Sequence, residues 1–141
     1  MKYDKLKRYE KLVIEERIMM TKDEEVLAGA ESFIDTVQGS HKDFPYTKGT
    51  VKITGMRPEE AERVKTERAD IAQRLRRIHG EMKRIEDYIG SIQDPVVQAL
   101  LEYHILKGFT WRDSASKVFG FGRVHENTAR MIVMRWLRNH K

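Results

Sequence analysis

The side chains with the most specific recognition chemistry stand close to the C-terminal end of the chain. Asn127, Thr128, Arg130, Met131, Arg135 and Arg138 recur at helical spacing, with Arg123 just ahead of them. An asparagine amide matches the two edge groups of adenine, and an arginine fork matches guanine or a phosphate. Threonine and methionine methyls suit the thymine methyl. The same stretch carries Ala129, Ile132, Val133, Trp136 and Leu137 at i, i+3, i+4, i+7 and i+8. That spacing makes one buried stripe. At 100° per residue, Asn127, Met131, Met134 and Arg138 then lie opposite it, with Thr128, Arg130 and Arg135 on its flanks. Glu126 is the one acid near this face, whereas a solvated surface without a polyanionic partner mixes both signs.

Catalytic and metal chemistry find no such arrangement. The histidines His41, His79, His104, His125 and His140 include no pair at i, i+3 or i+4, the spacings that put two ligands on one helical face. Cysteine is absent, which excludes thiolate metal sites, disulfides and cysteine nucleophiles. His125 and Glu126 are adjacent, and adjacent helical residues point apart. No glycine-rich phosphate loop occurs. The sequence gives no case for an enzyme, a cofactor, a metal or a small-molecule substrate.

The elements that must position the basic face are announced by turn chemistry. Asp94-Pro95 is a helix start, with a carboxylate at the N-cap and proline at the first helical position. Val97, Leu100, Leu101, His104 and Ile105 then share a face, and Gly108 suits the closing position. Thr110-Trp111-Arg112-Asp113 is a capping box opening a second short helix. Its inward face is expected to be Trp111, Ala115, Val118 and Phe119, and Gly120 ends it. The turn Gly120-Phe121-Gly122-Arg123 leads into a third helix expected over 124–139. A short capped helix, a turn and a longer helix form a helix-turn-helix, whose second helix enters the major groove. Arg112, at the start of the first of this pair, is placed for a backbone phosphate.

Charge agrees with that placement. The 141 residues hold 27 Lys plus Arg against 22 Asp plus Glu. Residues 94–141 account for 8 of the basic side chains and only 4 of the acidic ones, so most of the +5 lies there. The longest apolar run, Met131-Ile132-Val133-Met134, is far short of the ~20 residues of a membrane span. The charged start, from Met1 to Arg8, leads into no apolar signal core. A soluble, cytoplasmic protein is expected.

Residues 1–93 read as helical arms. Ala61, Val64, Arg68, Ile71, Leu75, Ile78, Met82, Ile85, Ile89 and Ile92 alternate steps of three and four, the a/d pattern of a coiled-coil seam with Arg68 its single polar member. Pro58 and the glutamates after it suit a helix start. In the N-terminal segment, Leu6, Tyr9, Val13, Met20, Leu27, Ala30, Ile34 and Val37 share a register that Glu16 and Asp23 break. A second ridge, Leu12, Met19, Val26 and Phe33, runs beside it. Thr21-Lys22-Asp23-Glu24 resembles a capping box, so two helices with a bend are expected there. Residues 39–57 form the linker, and Val51 and Ile53 around Lys48-Gly49 suit a short β-hairpin. The arms either fold antiparallel on each other or pair between two chains.

The segment from Ile92 to Leu137 resembles region 4 of sigma-70-type factors. It is more similar to small phage and prophage regulators of the ArpU/RinA type. The residues carrying the likeness are Asp94, Tyr103, Leu106-Lys107-Gly108-Phe109-Thr110-Trp111, Ala115, Phe119-Gly120 and Arg130 to Leu137. Phe44-Pro45-Tyr46-Thr47-Lys48 and Val51 to Gly55 resemble the linker of clostridial-type prophage relatives. Ser114 stands where relatives carry a bulky aliphatic residue, and the turn from Gly120 to Val124 is longer than in sigma factors.

The combined expectation is an all-α chain, with helical hairpin or coiled-coil arms over 1–93 and a three-helix DNA-binding domain over 94–141. The resemblance implies a dimeric phage-type transcription regulator acting on double-stranded DNA, with RNA polymerase a possible partner. Two other readings stay open, a phage small terminase subunit for DNA packaging and a coiled-coil adaptor that binds no specific DNA.

Overall fold

The computed structural model describes residues 1–40 and 57–140, the side chains of 31–40 excepted. The described elements are all helical, with no strand among the described residues: α1 (Tyr3–Ser40), α2 (Pro58–Gly90), α3 (Pro95–Leu101), α4 (Trp111–Phe119) and α5 (Glu126–Asn139). The linker motifs, the β-hairpin expected around Lys48-Gly49 and His41 lie outside the described residues. No described helix is long and apolar enough to cross a membrane.

The chain divides into two compact units, Met1–Glu15 with Ile78–Lys141, and Glu16–Arg77. Residues 94–141 therefore share a unit with the first turns of α1 and the last turns of α2. The core of that unit is built from Leu6, Leu12, Ile89, Val97, Leu100, Leu101, Ala115, Ala129 and Val133, each almost wholly withdrawn from solvent. A fully buried aliphatic side chain is worth about 1.5–3 kcal/mol relative to an exposed one. Gln98 ties α3 to the end of α2, its amide donating to the carbonyls of Ile89 (3.3 Å) and Gly90 (3.0 Å). Arg8 pairs with Glu81 at 2.8 Å, and the Tyr9 hydroxyl donates to Glu86 at 2.6 Å.

The other unit is thinner. Val64, Ile71 and Leu75 of the expected seam, with Val26 and Leu27 of α1, are only half-buried, and Ala61 is exposed. Two helical segments alone leave a flank of every seam side chain open. Further along the seam, in the first unit, Ile78, Ile85, Ile89 and Ile92 are buried and Met82 is half-buried. Two polar members of the stripes, one from each, are partners: the Arg68 guanidinium meets the Asp23 carboxylate through Nε (3.0 Å) and Nη2 (3.4 Å).

Two boundaries differ from expectation. Helix α1 runs unbroken through Thr21-Lys22-Asp23-Glu24, so the capping-box pattern starts no second helix. Met19, Asp23 and Val26 keep the three-four spacing across that point, and one continuous helix preserves the ridge. Helix α5 begins at Glu126 rather than Val124, because His125 adopts the N-cap: its backbone is extended and its Nδ1 accepts the Asn127 N–H at 3.1 Å.

Candidate nucleic-acid interface

Three capped starts hold the C-terminal helices. The Asp94 carboxylate accepts the N–H groups of Val96 (3.0 Å) and Val97 (3.3 Å), with Pro95 following it at the first helical position. The Thr110 hydroxyl accepts the Asp113 N–H at 3.1 Å. His125 caps α5. Each satisfies donors that a helix cannot satisfy itself.

Between α3 and α4 the backbone widens into a π turn, Glu102–Leu106. The Lys107 N–H bonds the Glu102 carbonyl (3.0 Å) and the Phe109 N–H bonds the Tyr103 carbonyl (2.9 Å). Gly108, at φ 73°, reverses the chain, a conformation that costs glycine little. Aromatic rings then lock the turn. Tyr103 stacks on Phe109 at 5.7 Å between centroids, with the Lys107 ammonium 4.7 Å from the Tyr103 ring. His104 lies against Trp111 at 3.9 Å.

His104 is the hub of this arrangement. Its Nδ1 lies 2.7 Å from the Phe109 carbonyl, which can only accept, so Nδ1 carries the proton. Nε2 of the neutral ring then accepts the Tyr3 hydroxyl at 3.2 Å. Burial lowers the His104 pKa from its ordinary 6.5, outweighing the Phe109 bond that would raise it, and burial also raises that of the Tyr3 hydroxyl. Tyr3 thereby joins the start of α1 to the entry of α4. A separation of 101 residues leaves no local signal of this contact in the sequence.

Helices α4 and α5 pack through Ser114, Ala115, Ala129, Val133 and Leu137, all buried, with Trp111, Val118, Phe119, Ile132 and Trp136 half-buried around them. The Ser114 hydroxyl is buried without a hydrogen-bond partner. Ser114 is not among the residues expected on the inward face of α4, and its burial leaves a polar group inside the packing.

The expected residues of α5 lie outside its buried stripe, opposite it or on its flanks. Asn127, Thr128, Arg130, Met131, Arg135 and Arg138 are all exposed, while Met134 is half-buried. Asn127 and Thr128 fall in the first turn of α5, since the helix starts at Glu126. Arg123 is exposed in the turn, and its side chain lies across Gly120, where a Cβ would meet Arg123 Cδ at 3.3 Å. Arg112 is exposed in the first turn of α4 and lines a cleft of about 390 Å³ with Ser116, Phe121, Gly122, Val124, His125 and Glu126. The cap His125 and the aromatic Phe121 join the surface unforeseen: a histidine cap lacks the usual Ser, Thr, Asp or Asn signature, and an apolar turn residue gives no recognition pattern.

His140 takes another place. It stacks on Trp136 (4.1 Å) and its Nδ1 lies 2.9 Å from the Trp136 carbonyl. Among the described residues, no group of three His, Asp or Glu side chains is placed to hold a metal. No family model, curated protein or solved structure matches this chain.

Proposed function

We propose that the chain is a DNA-binding transcription regulator of phage type, in which α4 and α5 form a helix-turn-helix and α5 lies in the major groove. The observation that carries this reading is the sidedness of α5. Ala129, Val133 and Leu137 are buried along one side, while three arginines, an asparagine and a threonine stand exposed away from it. Asn127 and Thr128, in the first turn, are positioned for base edges, with Arg130 and Met131 one turn further on. Arg135 and Arg138 suit phosphates on the far side of the groove, and Arg112 and Arg123 suit those beside the turn.

The arms supply the pairing of two such modules. An antiparallel hairpin of α1 on α2 is supported by the bonds Arg8–Glu81 and Tyr9–Glu86 in one unit and Asp23–Arg68 in the other. The half-buried Val64, Ile71 and Leu75 leave apolar surface for a second copy, which makes a homodimer the favoured assembly. RNA polymerase is a further candidate partner of the arms.

Enrichment of a random-sequence duplex pool on the full-length chain tests the reading. A recurrent motif arranged as two half-sites about one helical turn apart is the expected outcome. Retention that depends on salt but selects no motif would refute sequence-specific regulation. Light scattering on the same sample separates a dimer from the ring expected of a packaging subunit.

A further inference from the structure

We infer that Phe121 is an apolar DNA contact of this module, gripping the duplex beside the turn by a force that salt does not screen. The inference rests on the helix-turn-helix reading and extends it to a residue with no charge and no hydrogen-bonding group. Phe121 is the most exposed large hydrophobic side chain described, with 88% of its surface open to water. It contributes nothing to the core, so packing within its unit does not account for it.

Its place in the turn is set by glycine. The residues on either side, Gly120 at φ 99° and Gly122 at φ 71°, occupy backbone conformations that a side chain would strain. The Arg123 N–H closes the turn onto the Gly120 carbonyl at 3.3 Å. A ring held between two such glycines projects from the tip of the turn.

The surroundings identify the partner. Phe121 shares its cleft with Arg112, with the α5 cap His125 and with one acid, Glu126, and Arg123 follows two residues later. Two arginines, Arg112 and Arg123, against the single carboxylate of Glu126 leave the ring's surroundings net basic, which favours a partner that is anionic at its rim and apolar within reach of the ring. Duplex DNA has that composition, with phosphates outside the deoxyribose edges and thymine methyls of the groove wall. Phosphate contacts release counterions and weaken steeply with salt, whereas burial of a ring does not.

The test separates this contact from the basic ones. Binding of full-length wild type, Phe121→Ser and Phe121→Leu to a duplex recovered from the random pool is measured across 50–300 mM salt, these concentrations being about those over which counterion release is read. Phe121→Ser is expected to weaken binding by roughly tenfold at every salt concentration, the loss of most of a buried side chain. The slope of log K against log salt stays at the wild-type value, and Phe121→Leu retains most of the affinity. Thermal melts of the free variants should match wild type, because the ring is exposed. Unchanged affinity of Phe121→Ser overturns the contact, as does a slope reduced by about one. Absence of any selected duplex for the wild type would instead refute the DNA-binding reading on which the contact depends.

Discussion

The two compact units are both made of helices, yet they spend their sequence differently. Unit Glu16–Arg77 is built from long helical stretches whose apolar stripes, buried at Met19, are elsewhere half-covered at Val26, Leu27, Val64, Ile71 and Leu75. In the unit formed by Met1–Glu15 and Ile78–Lys141, helices as short as seven and nine residues enclose a core with side chains at zero exposure. Such short helices are marginal alone, so caps and neighbours must hold them. A long helix needs no special start, but a single partner helix cannot surround its stripe. The contrast separates a unit with a closed core from one whose seam residues Val64, Ile71 and Leu75 stay half-buried.

The largest expected effect probes coverage. Leu100→Ala, in the closed core, should lower unfolding free energy by about 2–5 kcal/mol, the usual range for emptying such a site. Leu75→Ala, in the arm, should cost less than half as much, since that side chain is half-exposed and leaves no closed cavity. Chemical denaturation of the two variants decides the matter, and equal losses would break the contrast.

Caps come next. Asp94→Ala should cost about 1 kcal/mol by removing the acceptor for two backbone donors. Thr21→Ala lies at an equally cap-like motif that the structure runs straight through, and should change stability by less than about 0.5 kcal/mol. A loss at Thr21 as large as at Asp94 would restore a helix start there.

A smaller effect concerns pH. The folded state lowers the His104 pKa below its ordinary 6.5 by burial, so it holds the ring neutral where the unfolded chain would bind a proton. The unfolded state then takes up more protons in this range, and stability rises with pH. The contribution is complete above the ordinary value and declines as pH falls below it. Melting temperatures between about pH 8 and 5, a range spanning the ordinary histidine pKa, should fall less steeply for His104→Phe than for wild type. Parallel curves would remove His104 as a source of that dependence.

Legibility in the sequence follows the same division. The starts at Asp94-Pro95 and Thr110, the reversal at Gly108 and the buried stripe of α5 were readable because each is fixed within a turn or two of chain. The π turn was not, since its extra residue leaves the apolar spacing of α3 intact. Asp23 and Arg68 each look like a defect in its own stripe, and only their pairing explains both. Tyr3 is invisible for the same reason, its partners His104 and Trp111 being distant in sequence. Of the candidate interface, the basic face was legible from helical spacing, whereas the exact start of α5 depended on an unusual cap.

The central claim is that the exposed basic face of α5, and not the charge of the arms, meets DNA. Arg130 and Arg68 test it as a pair, because both are exposed arginines, one on α5 and one bound to Asp23. The slope of log K against log salt for a selected duplex is measured for wild type, Arg130→Ala and Arg68→Ala. The account predicts a slope smaller by about one for Arg130→Ala and an unchanged slope for Arg68→Ala. A wild-type slope in Arg130→Ala, or the loss appearing in Arg68→Ala instead, would contradict it.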